Sequence, residues 1–125
     1  MIKLSQKDIL LLHRLLSDAS GGSAGVRSQA LLESALCSPF QTFDGIELYP
    51  TVEEKAARLC FSLVSNHAFV DGNKRIGILA LFTFLFLNGI TISVEENDLV
   101  ETTLALASGK LDYNNLLLWV RSNII

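Results

Sequence analysis

Nine consecutive residues near the middle of the chain carry most of its chemically useful side chains. Positions 67–75 read His-Ala-Phe-Val-Asp-Gly-Asn-Lys-Arg, and we name them the motif segment. His67 is a residue type that can accept a proton near neutral pH and activate a hydroxyl nucleophile. Asp71 is a hard oxygen ligand of the kind that Mg²⁺ takes beside substrate phosphates. Lys74 offers a point charge and Arg75 a planar fork of donors, and both suit phosphate oxygens.

The backbone around these side chains also favours an anion. Residues 76–87 are almost entirely apolar and predict a buried helix, so Lys74 and Arg75 stand at its start. Cations there oppose the helix dipole at a cost of roughly 0.3–1 kcal/mol each, and a bound anion would reverse that sign. Gly72 permits a positive φ, and consecutive N–H groups from Gly72 through Asn73 to Lys74 can form an anion-binding nest. The sequence therefore predicts a phosphate site at Gly72, Asn73, Lys74 and Arg75.

Each of these residues taken alone has a more ordinary interpretation. A single histidine at a helix end is more often structural, an aspartate beside glycine is usually a turn residue, and a Lys-Arg pair is usually solvated. Their joint occurrence before a helix too apolar to be exposed favours a functional site. His13, which stands apart in the first predicted helix, is expected to be structural or on the surface.

Local capping signals divide the chain into helices that would position this segment. Capping boxes are predicted at Ser5 with Asp8, at Thr51 with Glu54 and at Ser93 with Glu96. Asn73 is expected to cap the apolar central helix, which Asn88-Gly89 should end. The predicted helices run from Ser5 to about residues 17–22, from Ser28 to Leu36, from Thr51 to about Asn66, from Asn73 to Leu87, from Ser93 to about Ser108, and from Asp112 or Tyr113 onward. The predicted fold class is all-α, with about six helices.

A flap interrupts the helices. Residues 39–50 contain two prolines and Asp44-Gly45 between large side chains, which favours a short β-hairpin. The helical periodicity also predicts which side chains are buried, with Phe69 anchoring the motif segment. The predicted core comprises Ile9, Leu12, Leu15, Leu16, Leu31, Leu32, Leu36, Ala57, Leu59, Cys60, Leu63, Val64, Phe69, Leu116, Leu117, Trp119 and Val120. Cys37 is likewise expected to be a small buried hydrophobe.

Composition limits the class of protein. The 125 residues predict one domain, 1–125, and half of them are hydrophobic, which argues against disorder. The net charge of −3 does not favour nucleic acid. The N-terminus lacks the pattern of a signal peptide, and residues 76–87 are too few for a membrane span of roughly 20 residues. We therefore expect a cytoplasmic protein that binds neither nucleic acid nor membrane.

The motif segment resembles the core motif of the Fic/Doc family. That motif has the form HxFx[DN]xNK in the Doc branch and HPFxxGNGRxxR in the Fic branch. Lys74 stands where the Fic branch has glycine, Ile78 where it has its second arginine, and Ala68 where it has proline. These departures indicate the Doc branch, the death-on-curing toxins of toxin–antitoxin modules. The resemblance includes residues 25–36 and 48–57, and so extends over about residues 25–89.

The resemblance implies an α-helical Fic fold that uses ATP with Mg²⁺. Fic-branch enzymes transfer AMP, whereas Doc-branch proteins transfer the terminal phosphate to a translation elongation factor, which we expect to be elongation factor Tu. His67 would be the general base on a Ser or Thr hydroxyl, and Asp71 would hold Mg²⁺. Asn73, Lys74 and Arg75 would bind phosphates. Lys74 would occupy the space in which Fic enzymes bind the α-phosphate. The nucleotide would then bind in the opposite direction, with its γ-phosphate nearest His67.

Two protein partners follow from the same resemblance. The flap would hold the target as an added strand, through Phe43, Asp44, Gly45, Ile46, Glu47 and Leu48. A cognate antitoxin with a disordered C-terminal tail would fold onto the helices, in a groove involving the first helix. Fic-branch enzymes often carry an inhibitory helix with the pattern [ST]xxxE[GN] in the same chain. This sequence does not contain the pattern, which favours inhibition in trans. Lys55 and Arg58 are expected to be solvated surface charges, and steering of phosphate is the alternative role for them.

Two other functions stay open. The first is AMP transfer of the Fic type, against which Lys74 and Ile78 count. The second is a non-catalytic module that binds a nucleotide or a partner. The intact His67, Asp71 and Asn73 argue against such a degenerate site.

Overall fold

The computed structural model of the chain describes residues 1–125 and confirms the all-α class. Six helices are joined by short connections, one of which carries a two-stranded hairpin. The helices are α1 (Gln6–Ser20), α2 (Gln29–Cys37), α3 (Val52–Asn66), α4 (Asn73–Leu87), α5 (Glu96–Ala107) and α6 (Tyr113–Ser122), and the strands are β1 (Thr42–Phe43) and β2 (Ile46–Glu47). A 3₁₀ turn, Ser38–Phe40, links α2 to the hairpin. No helix is long and apolar enough to cross a membrane.

The pair of helices α3 and α4 forms the centre of the fold. The two helices approach closely because position 77 is glycine: an added Cβ would lie 2.6 Å from Cγ2 of Val64 and 3.2 Å from the Cys60 carbonyl oxygen. The other helices pack around this pair and bury a continuous apolar core. The motif segment connects α3 to α4, so the best-packed part of the molecule positions it.

Local capping explains most helix boundaries. The boxes at Ser5 with Asp8 and at Thr51 with Glu54 form as predicted. The backbone N–H of Ser5 bonds to the Asp8 carboxylate and lowers its pKa. The predicted box at Ser93 is wrong, because α5 begins at Glu96 without a side-chain cap. Ser93 instead donates its N–H to the carbonyl of Asn123, 2.9 Å away, where the chain before α5 pairs with the C-terminus.

The flap is confirmed as a hairpin. Thr42 pairs with Glu47 and Phe43 with Ile46. Asp44 and Gly45 form the two-residue turn with φ of 52° and 78°, the positive values that suit the twist of paired strands. Every residue from 41 to 48 is exposed, and the apolar Phe43 side chain is 76% exposed. The hairpin therefore adds nothing to the core and presents its edges outward.

The core prediction is confirmed for most of its residues and wrong at two positions. Leu15 is exposed, because α1 turns only the face of Ile9 and His13 toward α4. Cys37 is exposed because it is the last residue of α2, while Cys60 is buried as expected. The predicted residues Leu12, Leu16, Leu31, Leu36 and Trp119 are partly buried against the core.

Two charged residues of α3 that were expected to be solvated are not. Lys55 is only 2% exposed and contacts the flap. Arg58 is partly buried, with its guanidinium carbon 5.5–5.9 Å from the ring centroids of Tyr49, Phe61 and Tyr113. Neither side chain hydrogen-bonds to the motif segment, so the structure gives them a role at the flap and at α6.

The two thiols are expected to differ sharply in reactivity. Burial raises the pKa of Cys60 to about 12, so at pH 8 this thiol carries almost no thiolate, whereas Cys37 is exposed. We predict that a thiol reagent at pH 8 labels one cysteine quickly in the native protein and both after denaturation. Peptide mapping should place the fast label on Cys37. Fast labelling of Cys60 would contradict the packing of α3 against α4.

Candidate active site

His67 ends α3 in a left-handed conformation. Its φ is 50° and its ψ 47°, and its side chain is exposed with no hydrogen bond to protein. Arg27 holds this turn: its Nε donates to the His67 carbonyl at 2.7 Å and its Nη2 to the Asn66 carbonyl at 3.2 Å. The positive charge of Arg27 at the C-terminus of α3 also interacts favourably with the helix dipole. A non-glycine residue fixed at positive φ is a feature that clusters at active sites.

The residues after His67 are tied down by backbone hydrogen bonds and one side chain. The N–H groups of Arg27 and Ser28 both donate to the Ala68 carbonyl, and the Val70 N–H donates to the Gly25 carbonyl at 2.9 Å. The Asn73 amide accepts from the Phe69 N–H and donates to the Phe69 carbonyl, each at 3.0 Å. The prediction that Asn73 caps α4 is therefore wrong, because its side chain closes the loop and Gly72 takes the cap position.

His13 contacts the motif segment from the core side, in agreement with its structural interpretation. Its ring is buried and stacks on Phe69, with 3.7 Å between ring centroids. Its Nε2 lies 2.7 Å from the Asp71 carbonyl oxygen, which can only accept, so Nε2 carries the proton. Nδ1 is buried without a hydrogen-bond partner. No local sequence pattern indicates this contact, because the two residues lie 58 positions apart.

The N-terminus of α4 presents unpaired donors. The first backbone bond of the helix runs from the Ile76 N–H to the Gly72 carbonyl at 2.9 Å, so the N–H groups of residues 73–75 make no hydrogen bond to protein. Gly72 has a φ of 78° and makes this turn. Lys74 and Arg75 are exposed beside these donors. Free N–H groups, the helix dipole and two cations therefore coincide, which is the arrangement that binds phosphate.

A cavity of about 670 Å³ opens beside this helix end. Four predicted site residues line it: Asp71, Gly72, Lys74 and Arg75. Its other wall is mainly apolar and is formed by Leu16, Ile78, Leu79, Phe82, Leu99, Val100, Thr103 and Leu104. His67 and the flap do not line the cavity, and no side-chain hydrogen bond or ion pair connects the flap to the motif segment. The structure thus brings Asp71, Gly72, Lys74 and Arg75 to one cavity, which the predicted phosphate residue Asn73 does not line, and His67 lies at the opposite end of the loop.

The donor groups fit a magnesium ion for which the protein supplies one ligand and a nucleotide supplies others. No group of three His, Cys, Asp or Glu side chains lies together, so the protein offers no closed metal cage. Asp71 is a single exposed carboxylate, with Oδ1 accepting from the Gly72 N–H at 2.8 Å. Mg²⁺ is commonly held by one or two carboxylates together with substrate phosphates and water. Asp71, beside the glycine turn that begins α4, matches that pattern.

Gly22 leaves the space that the Asp71 carboxylate occupies. An added Cβ at this position would lie 2.7 Å from Oδ2 of Asp71 and 3.7 Å from Nη2 of Arg75. The sequence marks this glycine only as part of a helix stop.

We predict that Gly22→Ala displaces the Asp71 carboxylate without unfolding the protein, because the end of that side chain can move. The Mg²⁺ concentration that half-saturates nucleotide binding should rise about tenfold, since small displacements of binding groups have large effects. Titration of Mg²⁺ at fixed nucleotide measures this. Gly25→Ala is the matched control, because its added Cβ meets only ordinary contacts. An equal effect of both substitutions would contradict the specific role of Gly22.

Comparison with known proteins gives a family for the chain. The model of the Fic/DOC family matches residues 3–85, which include the whole motif segment. A protein of Mycolicibacterium smegmatis described as Toxin Doc is 40% identical over 92 residues, which cover 74% of this chain and 68% of that protein.

Proposed function

We propose a function from the premise that this chain belongs to the Fic/DOC family. It is a Doc-type toxin that transfers the γ-phosphate of ATP to a Ser or Thr hydroxyl of elongation factor Tu, and thereby inhibits translation. It acts in the cytoplasm, where ATP and the factor occur. The likeness to Toxin Doc supports the toxin class. One structural observation carries the chemistry: Lys74 and Arg75 stand at the start of α4, where the N–H groups of residues 73–75 have no partner in the protein.

Lys74 decides which phosphate reacts. In the Fic branch a glycine at this position leaves room for an α-phosphate. Here a lysine side chain stands at the first turn of α4 and adds both volume and charge. The nucleotide then binds with its γ-phosphate nearest His67, so that ADP is the leaving group. This orientation makes the chain a kinase and not an AMP transferase.

His67 begins the transfer as the general base. It takes the proton of the target hydroxyl as that oxygen attacks the γ-phosphorus. The new oxygen–phosphorus bond forms while the bond from the γ-phosphorus to the β–γ bridging oxygen breaks, and ADP leaves with the electron pair. The His67 side chain is exposed at the left-handed turn held by Arg27, which leaves the imidazole accessible.

The remaining loop residues position phosphate. Lys74 and Arg75 stabilise the charge on the transferring group, and the backbone N–H groups of residues 73–75 bind its oxygens. The Asn73 side chain keeps the loop closed through Phe69, so Asn73 contributes its N–H to the site. Asp71 would hold Mg²⁺, which neutralises phosphate charge when it is bound.

The flap receives the target. Its six predicted contact residues, 43–48, are all exposed, and β1 and β2 pair only with each other. An extended target segment can add to a free edge through main-chain hydrogen bonds, which align its hydroxyl without requiring a particular sequence.

An antitoxin neutralises the toxin in trans. The apolar wall of the cavity, which includes Leu16 of α1, begins at the phosphate-binding turn. An amphipathic segment that folds into this groove would cover Lys74 and Arg75 and so exclude the nucleotide. The groove supports the partner predicted from the resemblance, because it joins an apolar floor to a cationic end.

Position-specific labelling tests the proposed chemistry. Purified protein is incubated with a bacterial lysate and ATP labelled either at the γ- or at the α-phosphate. We expect protein-bound label from γ-labelled ATP alone, on a band of the size of elongation factor Tu. Label from α-labelled ATP would indicate AMP transfer, and no label from either would support a binding module without catalysis.

A further inference from the structure

The flap has few attachments to the rest of the molecule. All of its residues from 41 to 48 are exposed, and its own ladder comprises two residue pairs. A two-residue strand pair is marginal in water and does not fix its own position. Some other contact must therefore hold the hairpin against α3.

Lys55 makes that contact from the first turns of α3. Its Nζ lies 2.9 Å from Oε1 of Glu47 in β2 and also donates to the Tyr49 carbonyl. The same ammonium lies 5.8 Å from the ring centroid of Phe40, at the other end of the flap. The Phe40 ring lies closer to Nζ of Lys3, at 4.3 Å, so the contacts that only Lys55 makes are its two hydrogen bonds to Glu47 and Tyr49. These two bonds join α3 to β2 and to the residue where the flap ends.

The burial of Lys55 distinguishes this contact from ordinary surface pairing. Lysine is almost never fully buried unless it is paired, and Lys55 is 2% exposed. Glu47 is 54% exposed on its side chain, so its carboxylate stays hydrated in the absence of Lys55. Loss of the pair would therefore release the hairpin while leaving the core in place.

Tyr49, two residues after Glu47, has a separate anchor. Tyr49 packs edge-on against Tyr113 of α6 at 5.2 Å between centroids, and the Arg58 guanidinium lies 5.6 Å from its ring. These contacts fix the point where the flap joins α3. They do not reach β2, whose one polar contact outside the hairpin is the Glu47–Lys55 pair.

We propose that Lys55 is a positioning residue for the target protein: through Glu47 and the Tyr49 carbonyl it holds the flap in the orientation that receives the target segment. This inference rests on the proposed function of the flap. Lys55 acts on the target's binding and not on phosphate chemistry, because it contacts nothing in the motif segment.

The test compares four single variants, and one double variant that combines Lys55→Met with Glu47→Gln, in kinetics and in proteolysis. Lys55→Met keeps the length of the side chain without its charge, Glu47→Gln removes the partner's charge, and Lys55→Arg restores a cation. Lys110→Met is the control, because Lys110 is an exposed lysine without a side-chain contact. The KM for elongation factor Tu, the KM for ATP and kcat are measured for each. Chymotrypsin cleavage after Phe43 reports opening of the flap, and cleavage after Phe86, 73% exposed on α4, reports unfolding elsewhere.

We expect Lys55→Met and Glu47→Gln to raise the KM for elongation factor Tu by about tenfold or more, since a hydrogen bond to a charged group shifts an equilibrium by roughly this factor. The KM for ATP and kcat should stay within about twofold, and Lys55→Arg should recover part of the loss. Cleavage after Phe43 should accelerate by a similar factor while cleavage after Phe86 does not. The double variant should add little to either single one, because both remove the same contact.

Two results would overturn the inference. If cleavage after Phe43 is unchanged, Lys55 does not hold the flap. If cleavage accelerates while the KM for the factor is unchanged, flap orientation does not govern target binding. A wild-type protein that never phosphorylates the factor would instead refute the proposed function, and the proteolysis comparison would still decide whether Lys55 holds the flap.

Discussion

His67→Ala should lower the rate of phosphate transfer by about 10²–10⁴-fold, the usual contribution of a general base. ATP binding should stay close to the wild-type value, because the imidazole does not line the cavity beside the start of α4. The fold should persist, since the side chain is exposed and makes no hydrogen bond to protein. Single-turnover kinetics measure the rate, and calorimetric titration with Mg-ATP measures binding.

A second variant separates chemistry from backbone strain. His67 occupies a left-handed conformation, which asparagine adopts more readily than alanine. His67→Asn should therefore retain the turn held by Arg27 and still lack the base. Equal losses of transfer rate in both variants would support His67 as the general base. A transfer rate restored in His67→Asn would mean that the loss in His67→Ala comes from backbone strain. Full activity in either variant would refute the assignment.

Lys74→Gly should reduce γ-phosphate transfer by about 10²–10³-fold, a loss typical of removing one group that stabilises the transition-state charge. The same change recreates the glycine of the Fic branch and removes the volume that we propose turns the nucleotide. AMP transfer should therefore become measurable in this variant. Assays with γ- and α-labelled ATP quantify the two reactions side by side.

The control for this substitution is a glycine placed elsewhere. Lys110→Gly removes an exposed lysine between α5 and α6 and should leave both reactions unchanged. Lys74→Ala keeps the helix start intact, since glycine costs up to about 1 kcal/mol there relative to alanine. It should lose γ-transfer as Lys74→Gly does. An unchanged phosphorylation rate in Lys74→Gly would mean that Lys74 does not orient the nucleotide.

The sequence predicted those parts of the fold that depend on neighbouring residues. Two capping boxes, the breakers after α1 and the Asp44-Gly45 turn are local signals, and each forms as expected. The caps at Asn73 and Ser93 failed because each residue has a stronger partner. Asn73 bonds to Phe69, and Ser93 pairs with the C-terminus. Such competition depends on tertiary contacts, which a local pattern does not contain.

The same distinction applies to the candidate site. Asp71, Gly72, Lys74 and Arg75 are nearly consecutive, so their proximity followed directly from the sequence. Their supports come from distant positions: Arg27 holds the carbonyl of residue 67, and His13 holds that of Asp71. The prediction that Lys55 is solvated is wrong for a related reason. Its partner lies in the exposed flap, and a lysine in an amphipathic helix gives no sign that it is buried.

The intact mass of elongation factor Tu tests the central claim most directly. The purified chain is incubated with Mg-ATP and a bacterial elongation factor Tu, and the factor is weighed before and after. The proposed function predicts a gain of one phosphate, which is absent when His67→Ala replaces the wild-type chain. A gain of one AMP, or no gain from an active preparation that binds ATP, would contradict the claim that this chain is a kinase of the factor.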